Sequence, residues 1–116
     1  MQARDIETEL GDWTLERGCT LQDDRVRGRL YGEDGAPLVV VLGGISATRH
    51  VADGPPKGAG WWGRLVRAGG AVDMDRVKVL GLDFAPALDG PECPETITTA
   101  DQAVRLKALL DAHDLM

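Results

Sequence analysis

The sequence predicts an α/β chain built on a three-layer sheet, and three observations carry that prediction. Two apolar runs, Leu38-Val-Val-Val-Leu42 and Val77-Lys-Val-Leu-Gly-Leu82, lack the alternation of a half-exposed strand. Such runs suit strands covered on both faces of a parallel sheet. Two alternating polar–apolar segments precede them, and a helix with its own start signal closes the chain. Antiparallel strands followed by strand–loop–helix–strand–helix give the α/β class.

Residues 1–11 are polar and are expected to be flexible. Trp13-Thr-Leu-Glu-Arg-Gly18 reads as a short strand, and Val26-Arg-Gly-Arg-Leu-Tyr31 as a half-exposed one. Asp34-Gly35 supplies a positive-φ turn position, and Pro37 starts the first apolar run. Between the two runs lie eight of the chain's 15 glycines, from Gly43 to Gly70, with a short amphipathic piece near residues 61–66. At the end, Thr99-Ala-Asp-Gln102 has capping-box spacing. Ala103, Leu106, Leu109, Leu110 and His113 then share one helical face and are the expected buried stripe.

Composition narrows the function classes. The chain has 116 residues and a net charge of −6, with 13 basic residues scattered singly, which argues against nucleic acid as a partner. No apolar run approaches the roughly 18 residues of a membrane span, so no membrane partner is expected. Cys19 and Cys93 are isolated, and so are His50 and His113, which gives no metal site of ordinary spacing. The two cysteines could pair as one disulfide, but reduced thiols in a cytoplasmic protein are the expectation.

The segment Gly43-Gly-Ile-Ser-Ala47 follows the first apolar strand directly, where open α/β sheets gather function. Its glycines permit a sharp turn and leave backbone N–H groups free to meet an anion or a carbonyl oxygen. A tight turn with no ligand is the competing reading. It is neither a dinucleotide fingerprint nor a P-loop. Ser46, the chain's single serine, lacks the G-x-S-x-G elbow of a nucleophile, and no spacing supports a triad with His50 and Asp83. Trp61-Trp62, beside Leu65 and Val66, reads as core plus one rim residue rather than as a ligand platform. His50 is expected in the glycine-rich loop and His113 against the helix end.

Four pieces now stand in order. They are Gly43-Gly-Ile-Ser-Ala-Thr-Arg-His-Val51, Gly60-Trp-Trp62, Ala71-Val-Asp-Met-Asp-Arg-Val-Lys-Val-Leu-Gly-Leu-Asp-Phe84 and Thr98-Thr-Ala-Asp-Gln-Ala103. Together they resemble the amino-terminal part of homoserine O-acyltransferases of the α/β-hydrolase fold, from about residue 25 onward. The Gly-Gly-Ile-Ser-Ala form is closer to the succinyl-transferring branch. The resemblance implies a single partial α/β-hydrolase domain over residues 1–116, truncated before the strand that carries the nucleophile. It implies transfer of an acyl group from succinyl-CoA or acetyl-CoA to the homoserine hydroxyl, in methionine biosynthesis, with no bound cofactor.

By the same resemblance, one oxyanion-hole N–H falls on Ile45, Gly43 and Gly44 shape the loop, and Ser46 lines the substrate pocket. The family's catalytic Ser, Asp and His have no counterpart in this chain, and the loop at residues 85–94 is shorter than the family's. The isolated chain is therefore expected to be inactive. The strand at residues 38–42 is left with an open edge, which proteins avoid. The expected partner is a second chain carrying the remaining elements, or a second copy paired along the edge from Leu38 to Leu42. The alternatives are a non-catalytic interaction module, the small subunit of a split acyltransferase, or a chain with no activity of its own.

Overall fold

A computed structural model describes residues 3–44, 47–54, 58–85 and 96–115. Its elements are β1 (Ala3–Thr14), β2 (Thr20–Tyr31), β3 (Leu38–Val41), β4 (Val66–Arg67), β5 (Val72–Asp73), β6 (Lys78–Leu82) and α1 (Thr99–Ala112). Four strands form a mixed sheet in the order β1-β2-β6-β3, and β4 pairs with β5 separately. The two apolar runs lie side by side as predicted: β3 and β6 are parallel, with Val39 opposite Val79 and Val40 opposite Leu80. On its other side β6 runs antiparallel to β2, with Leu30 opposite Leu80. β3 is thus an edge strand among the described residues.

The structure departs from the sequence reading at both ends of the first hairpin. Residues 3–11, expected to be flexible, form most of β1, and residues 15–18, expected in a strand, lie outside it. Cross-strand ion pairs hold the polar strand: Glu7 takes Arg25 at 3.2 Å and Arg27 at 3.0 Å. Opposed charges of this kind support a pairing that hydrophobic patterning does not reveal.

Two compact units emerge from the contacts, residues 1–6 with 28–82, and residues 7–27 with 83–116. In the first, Tyr31, Val41, Val51, Ala52, Val66, Met74 and Val79 make the core. The segment 47–54 lies against β6 at Gly81, where a Cβ would strike the Arg49 carbonyl and come within 2.7 Å of Val51 Cγ2. A glycine is required there by close approach. Asp5 anchors two guanidiniums, Arg29 at 2.9 Å and Arg49 at 3.1 Å. Burial pushes its carboxyl up, but these two cations outweigh burial and hold it below the ordinary carboxylate value. The amphipathic piece near residues 61–66 is not a helix. It is a run of turns leading into β4, in which Leu65 and Val66 amides both donate to Trp62 O at 3.0 Å.

In the second unit, Leu15, Leu21 and Ala85 pack with Trp13, Cys19 and Ile97. Cys19 is disulfide-bonded, which corrects the expectation of reduced thiols; Cys93, the chain's other cysteine, lies outside the described residues. Helix α1 forms, but its cap and its face both shift. The N-cap is Thr98, whose hydroxyl accepts from the Asp101 amide while the Asp101 carboxylate accepts from the Thr98 amide. Thr99 and Gln102, the expected pair, fall one position late.

The buried side of α1 is Asp101, Gln102, Arg105 and Leu109, whereas Ala103 is exposed and Leu106, Leu110 and His113 are half-buried. Each polar member of that face has backbone partners. Asp101 Oδ1 accepts from the Glu16 amide at 2.8 Å. Gln102 pairs with both backbone groups of Ala85, donating at 2.7 Å and accepting at 3.0 Å. These contacts satisfy groups that would otherwise be costly to bury.

Burial alone raises the Asp101 carboxyl, but the Thr98 and Glu16 amides and the Thr98 side chain outweigh it, so its pKa is lowered. The sign follows. A depressed folded pKa contributes stability above the unfolded value, about 3.9, and that contribution disappears as pH falls through the lower folded value. Urea midpoints taken from neutral pH to pH 3 should fall, and the fall should be smaller in Asp101→Asn. An identical slope in the two proteins refutes the assignment.

Candidate functional site at the end of the third strand

The candidate site starts where β3 ends. Leu42 is 51% exposed, so the run that reads as covered on both faces is covered incompletely. Gly43 follows in a crowded place: a Cβ there would lie 2.5 Å from Ala47 Cβ and 2.9 Å from the Trp61 ring. Any side chain displaces one or the other. Gly44 has open space instead, and its carbonyl accepts from the Ala47 amide at 2.9 Å. Ile45 and Ser46, the expected oxyanion donor and pocket residue, lie outside the described residues.

Beyond this segment the backbone is tied to the Trp pair. Trp61 Nε1 donates to Thr48 O at 2.7 Å. The Trp61 and Trp62 amides donate to His50 O at 3.0 Å and Val51 O at 2.9 Å. Gly60 permits this closeness, because a Cβ would strike the carbonyls of Val51 and Ala52. Thr48 Oγ1 accepts from the His50 amide at 3.2 Å, which keeps His50 in the loop as expected.

The indoles correct the sequence reading. They are not core: Trp61 is 38% exposed and Trp62 40%. They stack on each other, with centroids 5.8 Å apart. The Trp61 ring is fixed by its bond to Thr48 O and by its closeness to Gly43.

The remaining candidates stand in the second unit. Asp83 follows β6; its amide donates to Arg27 O at 3.0 Å and its carbonyl accepts from Arg105 at 3.1 Å. His113 caps α1, with a ring nitrogen 3.0 Å from Glu7 O. Both serve backbone accounting. Sequence reasoning missed Arg105 altogether, since a lone Arg in a helix reads as solvated. Among the described residues no cluster of His, Cys, Asp and Glu could hold a metal ion. No described helix is long and apolar enough to cross a membrane.

Comparison with known proteins gives the class first. The structure of homoserine O-acetyltransferase from Staphylococcus aureus superposes with a TM-score of 0.79 over 97% of this chain and 36% of that one, at 23% identity. The mixed sheet and its helix are thus the amino-terminal part of an α/β-hydrolase fold. No family model matches the chain.

Sequence relatives narrow the class. The homoserine O-succinyltransferase of Xanthomonas campestris pv. campestris is 46% identical over 91 residues, which is 76% of this chain and 24% of that protein. The homoserine O-acetyltransferase of Haloferax volcanii is 31% identical over 99 residues, 72% of this chain and 24% of its own. The chain is similar to the amino-terminal part of these homoserine O-acyltransferases and spans about a quarter of their length.

Proposed function

We propose that the chain forms the amino-terminal portion of a homoserine O-acyltransferase, which moves an acyl group from acyl-CoA to the homoserine hydroxyl. The observation that carries this reading is the 46% identity to a homoserine O-succinyltransferase over three-quarters of the chain. The Gly-Gly-Ile-Ser-Ala segment, set at the carboxyl end of β3, agrees with it. The Gly-Gly-Ile-Ser-Ala form and the 46% identity to a succinyl-transferring relative support succinyl-CoA as the donor.

In this reading a serine on a G-x-S-x-G elbow, carried by a second polypeptide, attacks the thioester carbonyl and is assisted by an Asp–His pair. Negative charge then grows on the carbonyl oxygen. The Ile45 N–H donates to that oxygen, at the turn that Gly43 keeps tight. Ser46 lines the pocket for homoserine. In this reading the 116 residues supply a donor and a wall, not a nucleophile.

The second polypeptide adds its strand beside β3, whose outer edge has no partner among the described residues. Covering apolar side chains there contributes on the order of 1.5–3 kcal/mol each. A homodimer along the same edge is the competing assembly. The test is CoA release with homoserine and succinyl-CoA, measured for the chain alone, a serine-bearing α/β-hydrolase polypeptide alone, and both co-expressed. Turnover only in the third mixture is expected. Homoserine-dependent turnover by the chain alone, or a specific complex with no turnover, contradicts the proposal and favours a non-catalytic module.

A further inference from the structure

The stacked Trp61–Trp62 pair takes no part in the chemistry proposed above. Exposed aromatic pairs held rigidly mark a surface with an occupant. Trp61 is held from two sides, by its bond to Thr48 O at 2.7 Å and by the crowded Gly43. The rings are nearly parallel, at 17°, and cannot collapse inward without breaking those contacts.

An open depression of about 500 Å3 lies over the pair. That volume falls within the roughly 300–1,000 Å3 of small-molecule sites. Its wall carries one carboxylate and one guanidinium, Asp53 and Arg64. Asp53 Oδ1 accepts from the Gly60 amide at 2.9 Å. Gly63 lies beneath the same group, where a Cβ would come within 2.7 Å of Asp53 Cγ. The carboxylate is therefore fixed in place with one oxygen to spare. Arg64 is exposed, and its guanidinium forms no ion pair or hydrogen bond with the described residues.

A flat face, a fixed acceptor and an unspent cation suit a planar amino-bearing base that carries phosphate. We propose that this depression docks the adenine nucleotide end of the acyl-CoA. The base stacks on the indoles, its exocyclic amine donates to Asp53, and a phosphate pairs with the Arg64 guanidinium. The inference rests on the acyl-CoA reading.

Titration of the chain with ADP and with coenzyme A, followed by indole fluorescence, tests it. Saturable quenching by both is expected. Trp62→Ala should weaken binding roughly tenfold or more. Trp62→Phe should keep most of it, and Arg64→Gln should weaken it and flatten its salt dependence. Circular dichroism confirms that each variant folds.

Absence of saturable quenching, or quenching that Trp62→Ala and Arg64→Gln leave unchanged, overturns the platform. So does an active two-polypeptide enzyme in which Trp62→Ala leaves the KM for acyl-CoA untouched; that result spares the acyltransferase reading. Binding that needs Trp62 and Arg64, without acyl transfer in any mixture, supports the platform and counts against the acyltransferase reading instead.

Discussion

Arg105→Ala is expected to destabilise the chain by about 3–5 kcal/mol, the range for breaking a buried ion pair from one side. The side chain is 1% exposed and its partner Asp24 is 4% exposed. Nε donates to Asp24 Oδ2 at 3.1 Å, and one Nη reaches Arg25 O at 2.8 Å while the other reaches Asp83 O at 3.1 Å. Trp13 Nε1 donates to the same carboxylate oxygen at 2.9 Å. Removing the guanidinium leaves a buried carboxylate with the indole as its main partner and two carbonyls without their donor. Against a domain stability of roughly 5–15 kcal/mol, that loss can unfold the chain outright.

Arg105→Lys should cost nearly as much, because an ammonium cannot reproduce the planar fork. The double variant Asp24→Leu with Arg105→Met should recover much of the loss, since the isolated charge is gone. Urea denaturation of the three variants gives the numbers. A change below about 1 kcal/mol in Arg105→Ala, the value of an exposed pair, contradicts the buried network.

Ile45→Pro is expected to lower kcat for acyl transfer by roughly 10²–10³-fold in the two-polypeptide enzyme, the usual effect of deleting one oxyanion donor. Proline removes the backbone N–H and leaves the rest of the chain's chemistry alone. The side chain itself has no role in the proposal, so Ile45→Val should keep the wild-type rate. KM for acyl-CoA should change little, because the donor acts on charge that develops in the transition state. Initial rates over a range of succinyl-CoA concentrations separate the two constants. A proline variant with unchanged kcat removes the oxyanion role from this chain.

How much of this the sequence discloses depends on where the signal lies. β3 and β6 are legible because an unbroken apolar run has few other uses. Gly43 is legible because a glycine there is costly unless the backbone must pass close to something, here Ala47 and Trp61, whereas Ile45 and Ser46 lie outside the described residues. The length of β1 is not, since its support is Glu7 against Arg25 and Arg27, pairs nearly 20 residues apart that no local pattern shows. The face of α1 is misread for a related reason. Leucine periodicity points to Leu106 and Leu110, but Arg105 finds Asp24 across 81 residues and turns the helix toward a polar interior. The Trp pair is misread because indoles ordinarily prefer burial, and the geometry of Gly43, Thr48 and Gly60 is what reveals that it is held at the surface.

In the proposed assembly this chain completes an acyl-transfer site whose nucleophile belongs to another polypeptide. The lone Ser46 makes that assignment directly measurable. Brief reaction of the two-polypeptide enzyme with succinyl-CoA in the absence of homoserine, followed by acid quench and mass spectrometry of each chain, locates the acyl group. The proposed assembly predicts a succinyl adduct on the elbow serine of the second polypeptide and an unmodified Ser46, with the adduct discharged when homoserine is added. A succinyl group on Ser46 that homoserine removes contradicts it.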